Sequence, residues 1–177
     1  MLTFNENALN VAFERALGYC APFSEDDSQL VSSLVVRHAR DISELTAFPN
    51  LRHLEIFACI KLDLAPFSVL KELEVLKILC TPLPNTQAIG ELRSLKEIEL
   101  NFTSAQDITP ILALPNLTKA VFMANPLSEA SYNMIEALKV EQASSPSGPF
   151  NSFAERKRSL ATIHQPFFMP DVLSRIS

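Results

Sequence analysis

The side chains most suited to chemistry in this chain are its three cysteines and three histidines. A cysteine thiolate activated by a nearby imidazole is a common nucleophile, which makes Cys80 with His38 or His53 the arrangement to consider. No catalytic sequence motif accompanies these residues. We therefore interpret Cys80 as an ordinary surface residue and Cys59 as a small core residue, and we predict no catalytic residue and no enzyme.

Metal, cofactor and phosphate sites have no support in the residue spacing either. The cysteines and histidines show no CxxC, HxxxH or HExxH pattern, and these are spacings typical of zinc ligands. The chain has only 3 glycines, so it offers no glycine-rich phosphate loop. The sequence predicts no metal ion and no cofactor.

Composition and charge narrow the classes of partner. A chain of 177 residues with 47% apolar and 20% charged residues is typical of one globular unit. Its net charge of -5 argues against nucleic acid and anionic membranes, because binding either requires a basic surface. No segment approaches the roughly 20 apolar residues that span a bilayer, and the first residues lack the pattern of a signal peptide. We expect a cytoplasmic protein with reduced cysteines and no membrane insertion.

Five segments with one recurring apolar pattern follow each other along the chain, and their starts are spaced by 20, 22, 22 and 22 residues. Apolar residues fall at each start, three positions later and five positions later. The last two of each trio are two residues apart, which is the period of a β-strand with alternate side chains pointing inward. The segments begin at Val31, Leu51, Leu73, Leu95 and Leu117.

The second half of each segment predicts a return along the opposite side of a coil. Apolar residues recur nine, six and three positions before the next start, as in Ile42, Leu45 and Phe48, and this spacing suits a 3₁₀ turn. Eight positions after each start stands a small or polar residue whose side chain can bond the backbone of the neighbouring coil. These residues are Ala39, Cys59, Thr81, Thr103 and Asn125. Because alanine cannot form such a bond, we expect an irregular first coil.

The pattern LxxLxLxx[NCT]xL over residues 31–127 resembles the leucine-rich repeats of the internalin type, which have about 22 residues each. The resemblance implies an α/β fold: a right-handed solenoid with about five short parallel strands and a helical cap at each end. Residues 1–30 resemble the family's N-terminal cap, an amphipathic helix followed by a capped helical start at Ser24. The predicted apolar face of that first helix consists of Leu9, Ala12, Phe13, Ala16 and Leu17.

The end of the chain divides into two parts. Residues 128–141 resemble the closing segment of bacterial proteins of this class, with Ser128 opening a helix whose Ile135 and Leu138 cover the open end. Residues 142–177 are predicted to form a linker, a further helix and a tail. The tail carries an apolar cluster, Phe167, Phe168 and Met169.

In such a coil the strand residues two, four and six positions after each start point outward, onto the concave face. We name the resulting rows across the strands the first, second and third rows, and the residues that follow the third row the border row. The first row is Ser33, His53, Val75, Glu97 and Lys119. The second row is Val35, Glu55, Lys77, Glu99 and Val121. The third row is Arg37, Phe57, Leu79, Asn101 and Met123, and the border row is His38, Ala58, Cys80, Phe102 and Ala124.

We predict that this concave face binds another protein. The repeat does not need Phe57, Leu79, Phe102 or Met123 in its core, and we call these four residues the apolar stripe. Apolar groups ringed by charges are typical of an interface. An alternative is that the chain's own C-terminal tail covers the stripe. The predicted partner-binding residues are Arg37, His53, Glu55, Phe57, Val75, Lys77, Leu79, Glu97, Glu99, Asn101, Phe102, Lys119, Val121 and Met123.

The resemblance leaves several functions open. Small acidic bacterial repeat proteins of this kind include candidate immunity proteins, which neutralise a toxin, and Glu97 and Glu99 would suit a toxin with a basic cleft. A stoichiometric inhibitor is therefore one hypothesis. A scaffold or regulatory subunit and a translocated effector that acts in a host cell are the alternatives, and the sequence does not separate the three.

Overall fold

The computed structural model describes residues 2–143 except residues 61, 63 and 84. The predicted linker, further helix and tail from residue 144 onward lie outside the described residues. Two helices come first, α1 (Asn7–Leu17) and α2 (Glu25–Leu30). Five strands follow: β1 (Ser33–Arg37), β2 (His53–Phe57), β3 (Val75–Leu79), β4 (Glu97–Asn101) and β5 (Lys119–Met123). Between them lie the 3₁₀ turns Ser43–Ala47, Ala65–Val69 and Ile89–Glu91 and the short helix α3 (Thr109–Leu112), and α4 (Glu129–Ala143) comes last.

The strands form one parallel sheet in the order β1 to β5, and each strand pairs with the next one along the chain. The register aligns residues at the same repeat position, so that Ser33, His53 and Val75 face one another across neighbouring strands. The same alignment continues through β4 and β5. The predicted leucine-rich-repeat solenoid is confirmed, and so are its rows.

The core lies between the sheet and the returning turns. Along each strand, inward apolar residues alternate with outward residues. The turn residues Ile42, Leu45 and Phe48 are fully buried. The third coil keeps the same arrangement although its turn set contains a threonine, because the Thr86 hydroxyl donates to the carbonyl of Asp107 at 2.6 Å. Each coil therefore buries its apolar side against its neighbours, as a solenoid requires.

Side-chain hydrogen bonds join successive coils where the small or polar position was predicted. The Thr81 hydroxyl accepts from the backbone N–H of Cys59 at 3.1 Å and donates to the carbonyl of Leu79 at 3.0 Å. A buried turn needs such partners because an unpaired backbone N–H is costly there. Asn125 performs the same role for Thr103.

The first coil differs from the expectation. Its strand β1 is regular and pairs with β2 over all five residues, so the predicted irregularity does not reach the strand. Ala39 has no polar side chain, but the Glu6 carboxylate just before α1 accepts from the next two backbone N–H groups, those of Arg40 at 3.1 Å and Asp41 at 3.3 Å. The cap thus satisfies two backbone N–H groups at the open end of the first coil.

The N-terminal cap has the predicted form. Helix α1 buries Leu9, Ala12 and Phe13, whereas Ala16, which we had placed on the same face, is exposed. The Phe13 ring lies 5.3 Å from that of Phe48 in the first coil. Helix α2 begins with a capping box, in which the backbone N–H of Asp27 donates to the Ser24 hydroxyl and the Asp27 carboxylate accepts from the backbone N–H of Ser24.

The C-terminal end is closed by α4 as predicted, with small differences. Ser128 precedes the helix, and its hydroxyl accepts from the backbone N–H of Ser131 at 3.3 Å. Ser131 in turn accepts from the backbone N–H of Ile108 at 3.0 Å, and Ile135 is buried. The helix continues to Ala143, past the predicted end at residue 141. The prediction for the Leu138 side chain lies outside the described residues.

Candidate protein-binding surface

The outward residues of the five strands form the concave face as the rows predicted. Along β1 and β2, inward side chains are buried and outward ones are exposed or half-buried. Row spacing follows the distance between strands, about 4.8 Å, so the five strands make a patch roughly 20 Å wide. The face is therefore compact rather than extended.

Asn101 is the exception among the predicted contact residues. The residue is only 7% exposed, and its Nδ2 atom donates to the Glu99 carboxylate at 2.6 Å. The Asn101 Oδ1 atom is buried and has no hydrogen-bond partner within the described part of the chain. The prediction that Asn101 faces outward to a partner is therefore wrong for this structure.

The border row has a backbone feature that the sequence did not reveal. All five of its residues adopt positive φ angles, between 51° and 58°. The backbone N–H of the first four donates to the next strand, as when Phe102 donates to the carbonyl of Met123 at 3.0 Å. Glycine is the usual signal for such a turn, and none of the five residues is glycine. The border side chains consequently project at the rim of the concave face.

The apolar stripe lies on this face outside the core. Phe102 is 59% exposed, and Phe57, Leu79 and Met123 are half-buried. The guanidinium carbon of Arg37 lies 5.5 Å from the centroid of the Phe57 ring. The His38 ring contacts the Phe57 ring edge-on, with 6.0 Å between their centroids. The stripe is thus accessible to a partner within the described part of the chain.

The charged residues of the rows pair with one another across adjacent strands. The pairs are Arg37 with Glu55 at 3.6 Å, Lys77 with Glu99 at 4.0 Å, and Lys119 with Glu97 at 3.2 Å. Exposed pairs of this kind contribute little stability, about 0–1 kcal/mol each. The pairs neutralise the charges of the two glutamates, so Glu97 and Glu99 do not form a free acidic patch.

A further charged row runs beside the first row and was missed in the sequence. Glu74 lies between Arg52 at 3.7 Å and Lys96 at 2.6 Å. The hydrogen bond from Lys96 is the main reason why the pKa of Glu74 is lowered from its usual value. The signal was available, since the residues one position after the second, third and fourth starts alternate in charge, from Arg52 to Glu74 to Lys96.

Helix α1 forms an end wall of the concave face, which the sequence also did not show. A groove of about 920 Å³ separates α1 from β1. Its lining includes Val11 and Ala16 from the helix and Val35 and Arg37 from the strand. Because Val35 and Arg37 belong to the second and third rows, the groove is continuous with the concave face.

The register keeps the cysteine and histidine residues apart. Cys80 and His38 both lie in the border row, but Ala58 stands between them, so they are separated by two strand spacings, or about 9.6 Å. His53 lies in the first row, at the other end of its strand. Burial raises the pKa of the Cys59 thiol, which lowers its thiolate fraction. Among the described residues, no three histidine, cysteine or acidic side chains gather as a metal site would require.

None of the described helices has the length and apolar character needed to cross a bilayer.

No protein-family model matches the chain, and no curated protein matches it. Solved structures do. An internalin (inlF) of Listeria monocytogenes matches with a TM-score of 0.55 and 22% identity, over 66% of this chain and 36% of that one. An internalin C2 (inlC2) of the same species has a TM-score of 0.39 and 15% identity, over 72% of this chain and 88% of that one. The chain therefore spans about a third of the inlF chain. The inlF similarity confirms an internalin-type leucine-rich-repeat fold.

Proposed function

We propose that the protein is a non-enzymatic binding module that holds a protein partner on its concave face. The observation that carries the proposal is the position of Phe102, which is 59% exposed on a turn with a φ angle of 55°. All five border residues share this backbone conformation, so it belongs to the repeat. What is particular to Phe102 is a large apolar side chain left mostly in solvent, which contact with a partner would bury.

The rest of the face supports a protein partner over other classes. The apolar stripe lies beside paired charges, and interfaces combine apolar contact residues with a polar rim. Nucleic acid is disfavoured because the net charge is -5 and the lysines of the rows are already paired with glutamates. A width of roughly 20 Å suits one compact patch on a folded protein.

The inhibitor form of this function remains a prediction. The sequence suggested that Glu97 and Glu99 would bind a basic cleft of a toxin. The support from these charges is weaker in the structure, because Glu97 forms an ion pair with Lys119 and Glu99 forms one with Lys77. A cytoplasmic location belongs to the same proposal. If the partner is a toxin, co-expression of this chain should restore growth to cells that produce the toxin, whereas a scaffold partner would show no such rescue.

Differential capture from cell extract tests the proposal. The baits are the wild type, Phe102→Asp, and the control Val69→Asp, which places the same charge on an exposed residue of a convex turn. Aspartate tolerates the left-handed conformation at position 102. We expect at least one protein that the wild type and the control enrich equally and that Phe102→Asp enriches at least tenfold less. If every captured protein binds Phe102→Asp as well as the wild type, the proposal is wrong.

The same variant separates a partner from the chain's own tail. A tail packed on the stripe would make Phe102→Asp clearly destabilising. An open surface predicts that the free energy of unfolding stays within about 0.5 kcal/mol of the wild type, as for other exposed substitutions.

A further inference from the structure

The groove between α1 and β1 has a lining that mixes apolar and polar residues, and no described residue fills it. Ala8, Val11 and Ala16 line it from the helix, and Val35, which is 37% exposed, lines it from the strand. Val11 and Ala8 are only half-buried. The groove thus offers small apolar side chains on both sides and room for an inserted side chain between them.

The charges of the groove differ from those of the rest of the concave face. Arg37, Lys77 and Lys119 each lie within 4.0 Å of a glutamate. Arg15 also lines the groove and is exposed, and no ion pair links it to another described residue. It is therefore a cation on this face whose charge the described chain leaves uncompensated.

The acidic residue of the groove does not compensate Arg15. The Glu6 carboxylate accepts from three backbone N–H groups, those of Ala8 at 3.3 Å, Arg40 at 3.1 Å and Asp41 at 3.3 Å. These bonds hold Glu6 against the end of the first coil and occupy both of its oxygens. A carboxylate from outside the described residues is the complement that Arg15 lacks.

We infer that the groove holds an extended segment of the protein partner in which an apolar side chain lies next to a carboxylate. The apolar side chain packs between Val11 and Val35, and the carboxylate binds Arg15. This inference rests on the proposed function, since it names the part of the partner that binds at one end of the concave face. It adds that this end selects for an acidic segment.

Titration with a synthetic peptide tests the inference without the natural partner. The probe is an acetylated octapeptide that alternates leucine and glutamate, and the control peptide carries lysine in place of glutamate. Amide resonances of the ¹⁵N-labelled full chain report binding. We expect saturable shifts at Val11, Ser33 and Val35 with the glutamate peptide and at least tenfold weaker binding of the lysine peptide.

Two matched variants complete the test. Arg15→Glu should weaken binding of the glutamate peptide at least tenfold, and Arg15→Ala should weaken it less. Arg93→Glu changes an exposed arginine outside the groove and should leave binding unchanged. A well-dispersed amide spectrum of each variant shows that it folds.

Absence of shifts at these amides, equal binding of the two peptides, or unchanged binding by Arg15→Glu each overturns the inference. None of these results affects the capture experiment with Phe102→Asp, so the two proposals fail separately.

Discussion

Asn125 in the last coil holds Thr103 in the coil before it through a single oxygen. The Asn125 Oδ1 atom accepts from the Thr103 backbone N–H at 3.0 Å and from the Thr103 hydroxyl at 2.8 Å. Its Nδ2 atom donates to the carbonyls of Leu100 at 2.7 Å and Met123 at 3.2 Å. One side chain therefore satisfies four polar groups at the end of the solenoid.

Replacement of Asn125 by alanine should destabilise the protein clearly. The change leaves the buried Thr103 N–H without its acceptor, and an unsatisfied buried group costs about 1–3 kcal/mol. Asn116→Ala is the matched control, because Asn116 is exposed at the end of the preceding coil and its side chain donates one bond, to the carbonyl of Arg93. Urea denaturation should show the larger loss for Asn125→Ala. Equal losses in the two variants would mean that the interaction between coils does not stabilise the fold.

Gly90 marks a close approach between two coils on the convex side. A Cβ atom at this position would lie 2.7 Å from Cβ of Pro110 and 3.1 Å from its carbonyl oxygen. Gly90→Ala should therefore force the coils apart and cost about 1–3 kcal/mol, as overpacking does.

Gly18→Ala provides the contrast for Gly90→Ala. Gly18 has open space around it but a φ angle of 79°, so its substitution should cost only the backbone strain. Gly18→Asn should recover part of that loss, because asparagine tolerates this conformation. Thermal unfolding of the three variants checks both mechanisms. Wild-type stability of Gly90→Ala would show that the contact with Pro110 is not tight in solution.

The hydrogen bond from the Tyr19 hydroxyl to the Asp27 carboxylate, at 2.5 Å, should make stability depend on pH at both extremes. This bond is the main cause that lowers the pKa of Asp27 below its usual 3.8 and raises the pKa of Tyr19 above its usual 10.0. The Asp27 contribution is complete above pH 3.8 and is lost as the pH falls through the lowered pKa. The Tyr19 contribution is complete below pH 10.0 and is lost as the pH rises through the raised pKa.

Tyr19→Phe removes the bond and keeps the ring. Its stability should be lower than that of the wild type at pH 7, and the difference should shrink at strongly acid and strongly alkaline pH. Urea titrations across the pH range measure this difference. A difference that stays constant with pH would contradict the assignment.

Much of the fold was predictable because the repeat carries its own register. The spacing from Leu51 to Leu54 to Ile56 defines which strand residues point inward, and a parallel sheet then places equal repeat positions side by side. The rows of the concave face follow without any knowledge of the tertiary structure. The apolar stripe was found in the same way.

The remaining features of the site depend on contacts between segments that the repeat does not relate. The Glu6 carboxylate reaches Arg40, 34 residues later in the chain, and no local pattern predicts such a contact. The wall that α1 adds to the concave face likewise depends on how a cap packs on a strand. Asn101 occupies an outward position in the repeat, yet it is buried and donates a hydrogen bond to Glu99.

Binding to the apolar stripe is the central claim, and calorimetric titration of the captured partner measures it most directly. The proteins compared are the wild type, Phe57→Ala, Phe102→Ala, the double variant and the convex control Val69→Ala. Truncation of a hot-spot aromatic residue costs about 2 kcal/mol or more, which is roughly a thirtyfold change in affinity. We predict a loss of at least that size for the double variant and wild-type affinity for Val69→Ala. Unchanged affinity of the double variant would contradict binding at the concave face.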